Sequence, residues 1–410
     1  MHILSKSTYI KGLQCEKALY LTKKHPYLRD KLSIEQRAKF KRGTDVGILA
    51  HQYFPGGVNM TPSSPTQFPK KVVETMQNLN NPTVNVMYEA VFQYNDTLVM
   101  VDLLVRDGDQ WRAIEVKSSL RLSPTYYNDA ALQYYVLHGC GVPLADFQLM
   151  HLNADYVRHG DIDVRQLFQL VSVLDFAKTQ EPIIAANVER LKQVVALPHA
   201  PQVAIGNHCH EPYTCDFLGH CWKNTPKDDS DYTIDYKALF AQAPDPKPHH
   251  IAYLNLLHYQ PAVPELEGTK PYQDMILAFA LSGEHEAGGQ LFWNCFDDHS
   301  RWHECLDLLK ERFAHYDLVV CFAPSHPDLG YKLFNLQEVL QNSNLLHPKL
   351  KDGLNLQHTA EALFHAPKLF EHSRILVEAL AQELTSYEQS KEDLFAENEM
   401  IKCIYQLFFK

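Results

Sequence analysis

The sequence predicts an α/β protein built as two units. Three observations carry that expectation. Segments rich in β-branched and aromatic residues crowd into 84–118, helical patterns flank them, and a Lys-, Asp-, Ser- and Pro-rich stretch at 223–249 separates them from a second series of strands and helices. In order, Ser7 or Thr8 caps a helix through Leu21, and Ser33 caps another whose apolar positions run to Ala50. Phe54-Pro55-Gly56-Gly57 ends it, and an irregular excursion over 58–83 encloses a short helix near 69–79. Strands are expected over Val84–Tyr94, Leu98–Arg106 and Trp111–Ser118, bounded by Asn95-Asp96 and Asp107-Gly108-Asp109. Pro124 opens a helix to about His138, Asp146–Asn153 reads as a strand, and helices fill 163–195. Beyond 223–249, with its Pro244, Pro246 and Pro248, strands are expected at Ile251–His258, Met275–Ser282, Gln290–Cys295 and Leu318–Phe322. Helices are expected at 300–314, 328–341, 358–384 and 391–408.

Length and composition exclude several classes. The chain has 410 residues, 45% hydrophobic and 21% charged, enough to bury large cores and too apolar for a disordered chain. No stretch approaches the roughly 18 apolar residues of a membrane span, and Lys6 and Lys11 interrupt any signal-like apolar start. A cytoplasmic protein without membrane contact is the expectation, and in that compartment clustered cysteines more often bind metal than pair. The net charge of −11 disfavours a nucleic-acid coat, but it is unevenly spread. Residues 1–44 hold eleven Lys and Arg against Glu16, Asp30 and Glu35, a net of +8, leaving −19 on the remainder. A basic arm on an acidic body suggests either one localised polyanion surface or a solvated lysine-rich helix face.

The sharpest chemical signal is a hairpin. With Gly108 and Asp109 as a two-residue loop, Gly first as a type II′ turn favours, the register sets Asp102 directly opposite Glu115. Opposed side chains on one sheet face lie close enough to share a divalent cation, and Lys117, two residues on, faces the same way. An exposed cross-strand ion pair is the alternative, but this strand is otherwise apolar, where an unpaired charge is costly.

Val101-Asp102 followed by Ile114-Glu115-Val116-Lys117 resembles the signature of the PD-(D/E)xK nuclease superfamily, and the context resembles its RecB-like branch with the CRISPR-associated iron–sulfur exonucleases. The resemblance implies a restriction-endonuclease-like core closed by an iron–sulfur cluster. It also implies a metal-ligating histidine upstream, matched by His51, and a glutamine on the helix after the lysine strand, matched by Gln133. His51, Asp102, Glu115 and the Val116 carbonyl would then hold Mg²⁺ or Mn²⁺. Lys117 would help activate water and offset charge, and Gln133 would position phosphate or water. Where the branch often has a tyrosine one turn beyond that glutamine, Leu137 stands, so Tyr134 or Tyr135 would have to substitute; Glu89 is an auxiliary metal ligand or a solvent-facing strand carboxylate.

Cys209, Cys215 and Cys221 are evenly spaced, and Cys15 offers a fourth thiol; on the residues alone His208, His210 or His220 could complete a Zn²⁺ site. The resemblance implies instead a [4Fe–4S] cluster on Cys15, Cys209, Cys215 and Cys221, with Zn²⁺ as the alternative. Cys140, Cys295, Cys305, Cys321 and Cys403 read as packing residues.

Tyr253-Leu254-Asn255-Leu256-Leu257 and the segment after it resemble a ribonuclease H-like exonuclease domain, in which an Asp-x-Glu pair would stand where this chain has Asn255 and Leu257. Gly353-Leu354-Asn355-Leu356 and Glu397-Asn398-Glu399-Met400 align with its later acidic motifs. The expected organisation is a nuclease domain over 1–222, a linker over 223–249, and over 250–410 a catalytically inactive ribonuclease H-like domain serving DNA or a protein partner. The expected function is a metal-dependent deoxyribonuclease acting on single-stranded or end-containing DNA. The alternatives are a non-catalytic nucleic-acid-binding or scaffold protein and a zinc-stabilised interaction module.

Overall fold

A computed structural model describes residues 4–32, 34–209, 211–223, 232–283, 290–322, 333–345, 350, 356–364 and 387–409. The fold is mixed α/β with two mixed sheets. The chain divides into two compact units, Met1–Thr225 with Ala262–Pro271, and Pro226–Pro261 with Tyr272–Lys410.

In the first unit the elements run β1 (Leu4–Ser5), α1 (Lys6–Gln14), α2 (Glu16–Lys24), α3 (Ile34–Ala50), β2 (Val58–Asn59), α4 (Phe68–Leu79), β3 (Val86–Tyr94), β4 (Thr97–Asp107) and β5 (Gln110–Lys117). There follow α5 (Pro124–Gly139), β6 (Leu144–Leu152), α6 (Val164–Leu167), β7 (Phe168–Ser172), α7 (Leu174–Ala196) and the short α8 (Leu218–Cys221). The sheet order is β2-β3-β4-β5-β6-β7, with β1 pairing β4. The hairpin register is the expected one, from Asp107↔Gln110 to Leu103↔Ile114. Gly108 at its turn has φ +60, which a residue with a Cβ adopts only with strain, and Asp109 is not at positive φ, as a type II′ loop requires. Strand β5 then crosses through α5 to a parallel β6, and α5 packs on the sheet and against α7, burying Ala130, Ala131, Leu132 and Val136 with Leu191 and Val188.

Two local expectations are corrected. The helix over 7–21 is two helices, capped at Ser5 through a reciprocal Ser5–Thr8 box and broken at Cys15, whose extended backbone ends α1 and begins α2. The region 163–195 is not all helical, because Phe168–Ser172 adds to the edge of β6 as an antiparallel strand. That five-residue run carries too few turns of either period to declare itself. Ser33 lies outside the described residues.

The helix pair α1–α7 depends on Gly12. A Cβ there would meet Leu191 and Leu19 methyls at 2.8–2.9 Å, and both leucines are fully buried. Gly12→Val is therefore expected to lower unfolding free energy by about 1–3 kcal/mol, measured by urea denaturation.

The second unit contains α9 (Tyr236–Phe240), β8 (Ile251–Tyr259), β9 (Met275–Gly283), β10 (Gln290–Asn294), α10 (Glu304–Phe313), β11 (Leu318–Cys321), β12 (Leu333–Asn335), α11 (Leu336–Asn342), α12 (Leu356–Phe364) and α13 (Tyr387–Phe409). Its sheet order is β10-β9-β8-β11-β12, with β9 antiparallel to both neighbours and β8, β11 and β12 parallel. Part of the expected linker is structured. Helix α9 buries Leu239 in the core formed by Tyr253, Val320, Leu336 and Ile404, while 224–231 lie outside the described residues. Residues 333–335, expected to be helical, form β12; 328–332 and 365–384 lie outside the described residues.

Candidate functional site

The hairpin register delivers two carboxylates to one level of the sheet, and the neighbouring elements close on them. Asp102 directly precedes the last β4–β5 pair, and its Oδ2 accepts from the Val116 N–H at 2.6 Å. Glu115 is buried and its oxygens are divided. Oε1 accepts from Lys117 Nζ at 2.9 Å and from Lys6 Nζ at 2.5 Å, while Oε2 accepts from Gln133 Nε2 at 2.6 Å. Lys117 also donates to Asp129 at 2.6 Å and sits 4.7 Å over the Tyr126 ring. Tyr126, Asp129 and Gln133 fall on one face of α5 by their spacing of three and four residues.

Glu89 joins this group from β3. It adopts φ +53 and drops out of the β3–β4 ladder, which pairs Tyr88 with Leu103 and resumes at Ala90↔Val101. A left-handed conformation in a residue with a side chain costs about 1–2 kcal/mol, strain that persists where surrounding structure imposes it. The electrostatics follow from burial and proximity. Burial, and then the charges of Glu115 and Glu89, push the Asp102 carboxyl well above its usual range; burial followed by Glu115 raises Glu89. Burial alone would raise Glu115 too, but Lys117 and Lys6 outweigh it and hold its pKa at about 2.

Of the residues singled out in the sequence, Asp102, Glu115, Val116, Lys117, Gln133 and Glu89 are brought together. His51 follows the end of α3, and its ring stacks on Tyr88 at 3.9 Å, one residue from Glu89. Among the described residues no hydrogen bond joins the ring to a carboxylate, and burial lowers its pKa. Tyr134 and Tyr135 are directed elsewhere: Tyr134 stacks on His138, and the Tyr135 hydroxyl accepts from Asn95. The aromatic group in the site is Tyr126, which with Asp129 and Lys6 escaped the sequence reading. The four-residue spacing from Gln133 could have found Asp129; nothing local marks Lys6 among the eleven basic residues of its arm.

Among the described residues no group of three or more His, Cys, Asp or Glu side chains is closed about a metal position. The donor chemistry nevertheless suits a divalent cation. Asp102, Glu115 and Glu89 face one another across the strands, with Asp129 beside Lys117, and the Oε1 of fully buried Gln133 has no hydrogen-bond partner.

A second constellation lies at the other end of α1. Cys15, Cys209, Cys215 and Cys221 line one cavity together with His208, Val203, Ile205, Phe217 and Leu218. Cys15 caps α2, where the Lys17 and Ala18 N–H groups approach its thiol. The segment bearing the other three is tied to α1: Gln14 donates to the His208 and Tyr213 carbonyls at 2.7 and 2.6 Å, and Lys11 pairs with Asp216. Burial, reinforced by the other three thiols, pushes Cys215 up to about 11, so a bound metal would have to displace thiol protons. Four convergent thiols within an apolar surround fit a thiolate-bound cluster or zinc. His208 Nε2 stands 3.8 Å from Cys209 Sγ; His210 lies outside the described residues. Of the remaining cysteines, Cys295, Cys305 and Cys321 are buried, Cys140 is half-buried, and Cys403 is exposed on α13, which corrects its reading as a packing residue.

In the second unit Asn255 Nδ2 donates to Glu397 Oε2 at 2.5 Å, and Leu257 is buried beside Leu277, Cys295 and Leu394. A neutral amide thus partners Glu397, and Asn398 donates to the Ala280 carbonyl at 2.8 Å. Residues 353–355 lie outside the described residues. No protein-family model and no curated protein matches the chain.

Proposed function

We propose that residues 1–222 constitute a divalent-metal-dependent deoxyribonuclease of the PD-(D/E)xK type, acting on single-stranded or end-containing DNA. The observation that carries this reading is the hydrogen-bonded set Asp102, Glu115, Lys117 and Gln133, gathered from β4, β5 and α5 around the buried Glu115 and Gln133. Asp102, Glu115 and the Val116 carbonyl would hold Mg²⁺ or Mn²⁺, with Glu89 and His51 as further donors. Such an ion, when bound, lowers the pKa of water and offsets phosphate charge. Lys117, kept an ammonium by Glu115 and Asp129, stabilises negative charge developing on the phosphate. The free Gln133 oxygen holds a water or another donor in place.

The basic arm supports a nucleic-acid substrate. Helix α3 exposes Arg37, Lys39 and Lys41 together with Phe40, whose side chain is 60% exposed, a combination of cations and an aromatic face suited to single strands. In the same reading the four-thiol cavity takes a [4Fe–4S] cluster. The second unit is a ribonuclease H-like module without catalysis, because Asn255 replaces an acidic ligand and leaves Glu397 satisfied by an amide. It would serve as a contact for DNA or a protein partner.

The test is cleavage of end-labelled and circular single-stranded DNA with Mn²⁺ or Mg²⁺. Wild type is expected to cut, and Asp102→Ala to lose about 10³-fold or more in rate as a metal ligand is removed. Cleavage by Asp102→Ala at the wild-type rate, or none by cluster-loaded wild type, rejects the reading.

A further inference from the structure

Lys6 occupies a position that local helix physics disfavours. It is the first residue of α1, where the helix dipole repels a cation, and no acidic residue in that turn compensates. The Ser5–Thr8 capping box fixes the helix start without it. Its side chain instead crosses to Glu115, 109 residues away in sequence, and shares one carboxylate oxygen with Lys117. Two ammonium groups on one oxygen repel, and the arrangement holds only because Asp102, Glu89 and Asp129 surround them with negative charge.

The two lysines are not equivalent. Lys117 is pinned by Glu115, Asp129 and the Tyr126 face, and its side chain is 13% exposed. Among the described residues Lys6 has one ion pair, with Glu115, and its side chain is 30% exposed. We propose that Lys6 is the resident cation of the carboxylate site: its ammonium neutralises Asp102, Glu115 and Glu89 until a divalent ion takes that place, and the displaced ammonium then engages the substrate phosphate. Lys6 is thereby a positioning residue that couples metal loading to the arrival of DNA. The proposal rests on the divalent-cation reading of this site.

Calorimetric titration of Mn²⁺ into the full chain tests it, with wild type, Lys6→Met and Lys6→Arg compared with and without a phosphorothioate single-stranded oligonucleotide. Without oligonucleotide, Lys6→Met is expected to bind Mn²⁺ about tenfold or more tightly than wild type, because a competing charge is gone, and Lys6→Arg to stay near wild type. The oligonucleotide is expected to tighten Mn²⁺ binding to wild type and not to Lys6→Met. Thermal melting supplies a second readout: metal-free Lys6→Met melts below wild type, and saturating Mn²⁺ closes the gap. Lys6→Gln carries the same expectations should Lys6→Met not fold. Equal or weaker Mn²⁺ affinity in the charge-removing variants overturns the role of Lys6 and leaves the nuclease reading standing. Failure of wild type and all variants to bind Mn²⁺ overturns both.

Discussion

Lys117→Ala is expected to slow phosphodiester cleavage by about 10²–10⁴-fold, the range for removing a group that stabilises charge or moves a proton in the transition state. In the proposed nuclease the surroundings of Lys117 favour the first of these. Burial alone would push the Lys117 pKa down, but Glu115 and Asp129 outweigh burial and hold it well above the ordinary 10.5. The side chain is therefore a fixed cation throughout the neutral range and a poor proton acceptor. Because its folded-state pKa is raised, the stability it confers is fully present below its ordinary value and disappears only as pH climbs through the raised one. Cleavage rates across neutral pH should accordingly show no inflection belonging to Lys117.

The same substitution strips Asp129 of its ammonium and leaves Glu115 with Lys6 and the Gln133 amide. Breaking one partner from a buried pair costs about 3–5 kcal/mol, so a drop in melting temperature should accompany the kinetic loss. Single-turnover cleavage measured well below the melting transition separates the two effects. Lys117→Ala protein that is folded and cuts within a few-fold of wild type would remove Lys117 from the chemistry.

How much of this site was legible depended on the range of the interaction. Asp102, Glu115 and Lys117 follow from a two-residue turn and a period of two, both local rules, and the register they predict is the register found. Gln133 lies on a helix whose start Pro124 announces. Lys6 was out of reach because its partner Glu115 lies 109 residues away and is set by tertiary packing, whereas Asp129 stands one helical turn before Gln133, within reach of the helix spacing. The break at Cys15 was hidden for the same reason: the stretch around it is a good helix by composition, and the thiol reaches its cavity because the backbone there turns extended. In the second unit the short strands Leu333–Asn335 and Phe168–Ser172 in the first exist through the edges they extend, which no local pattern encodes.

Cys215→Ala is expected to abolish bound iron and the brown colour of anaerobically purified protein, and to lower thermal stability by more than any single core substitution. Four thiols from two distant stretches of chain meet in that cavity, Cys15 from the start of the unit and the other three from its end. A metal group bound there closes a loop of nearly the whole first unit, and its binding free energy is folding free energy. Iron content should fall from about four per chain to none. Cys295→Ala, in the second unit, should leave it unchanged. A colourless wild type with one zinc per chain would reject the cluster and favour a site including His208. The loss should also reach the carboxylates, because α1 runs from Cys15 to Lys6 and is held along its length by Gln14, Lys11 and Gly12. Cys215→Ala protein that remains folded should therefore show altered Mn²⁺ affinity although none of the proposed cation's donors has changed.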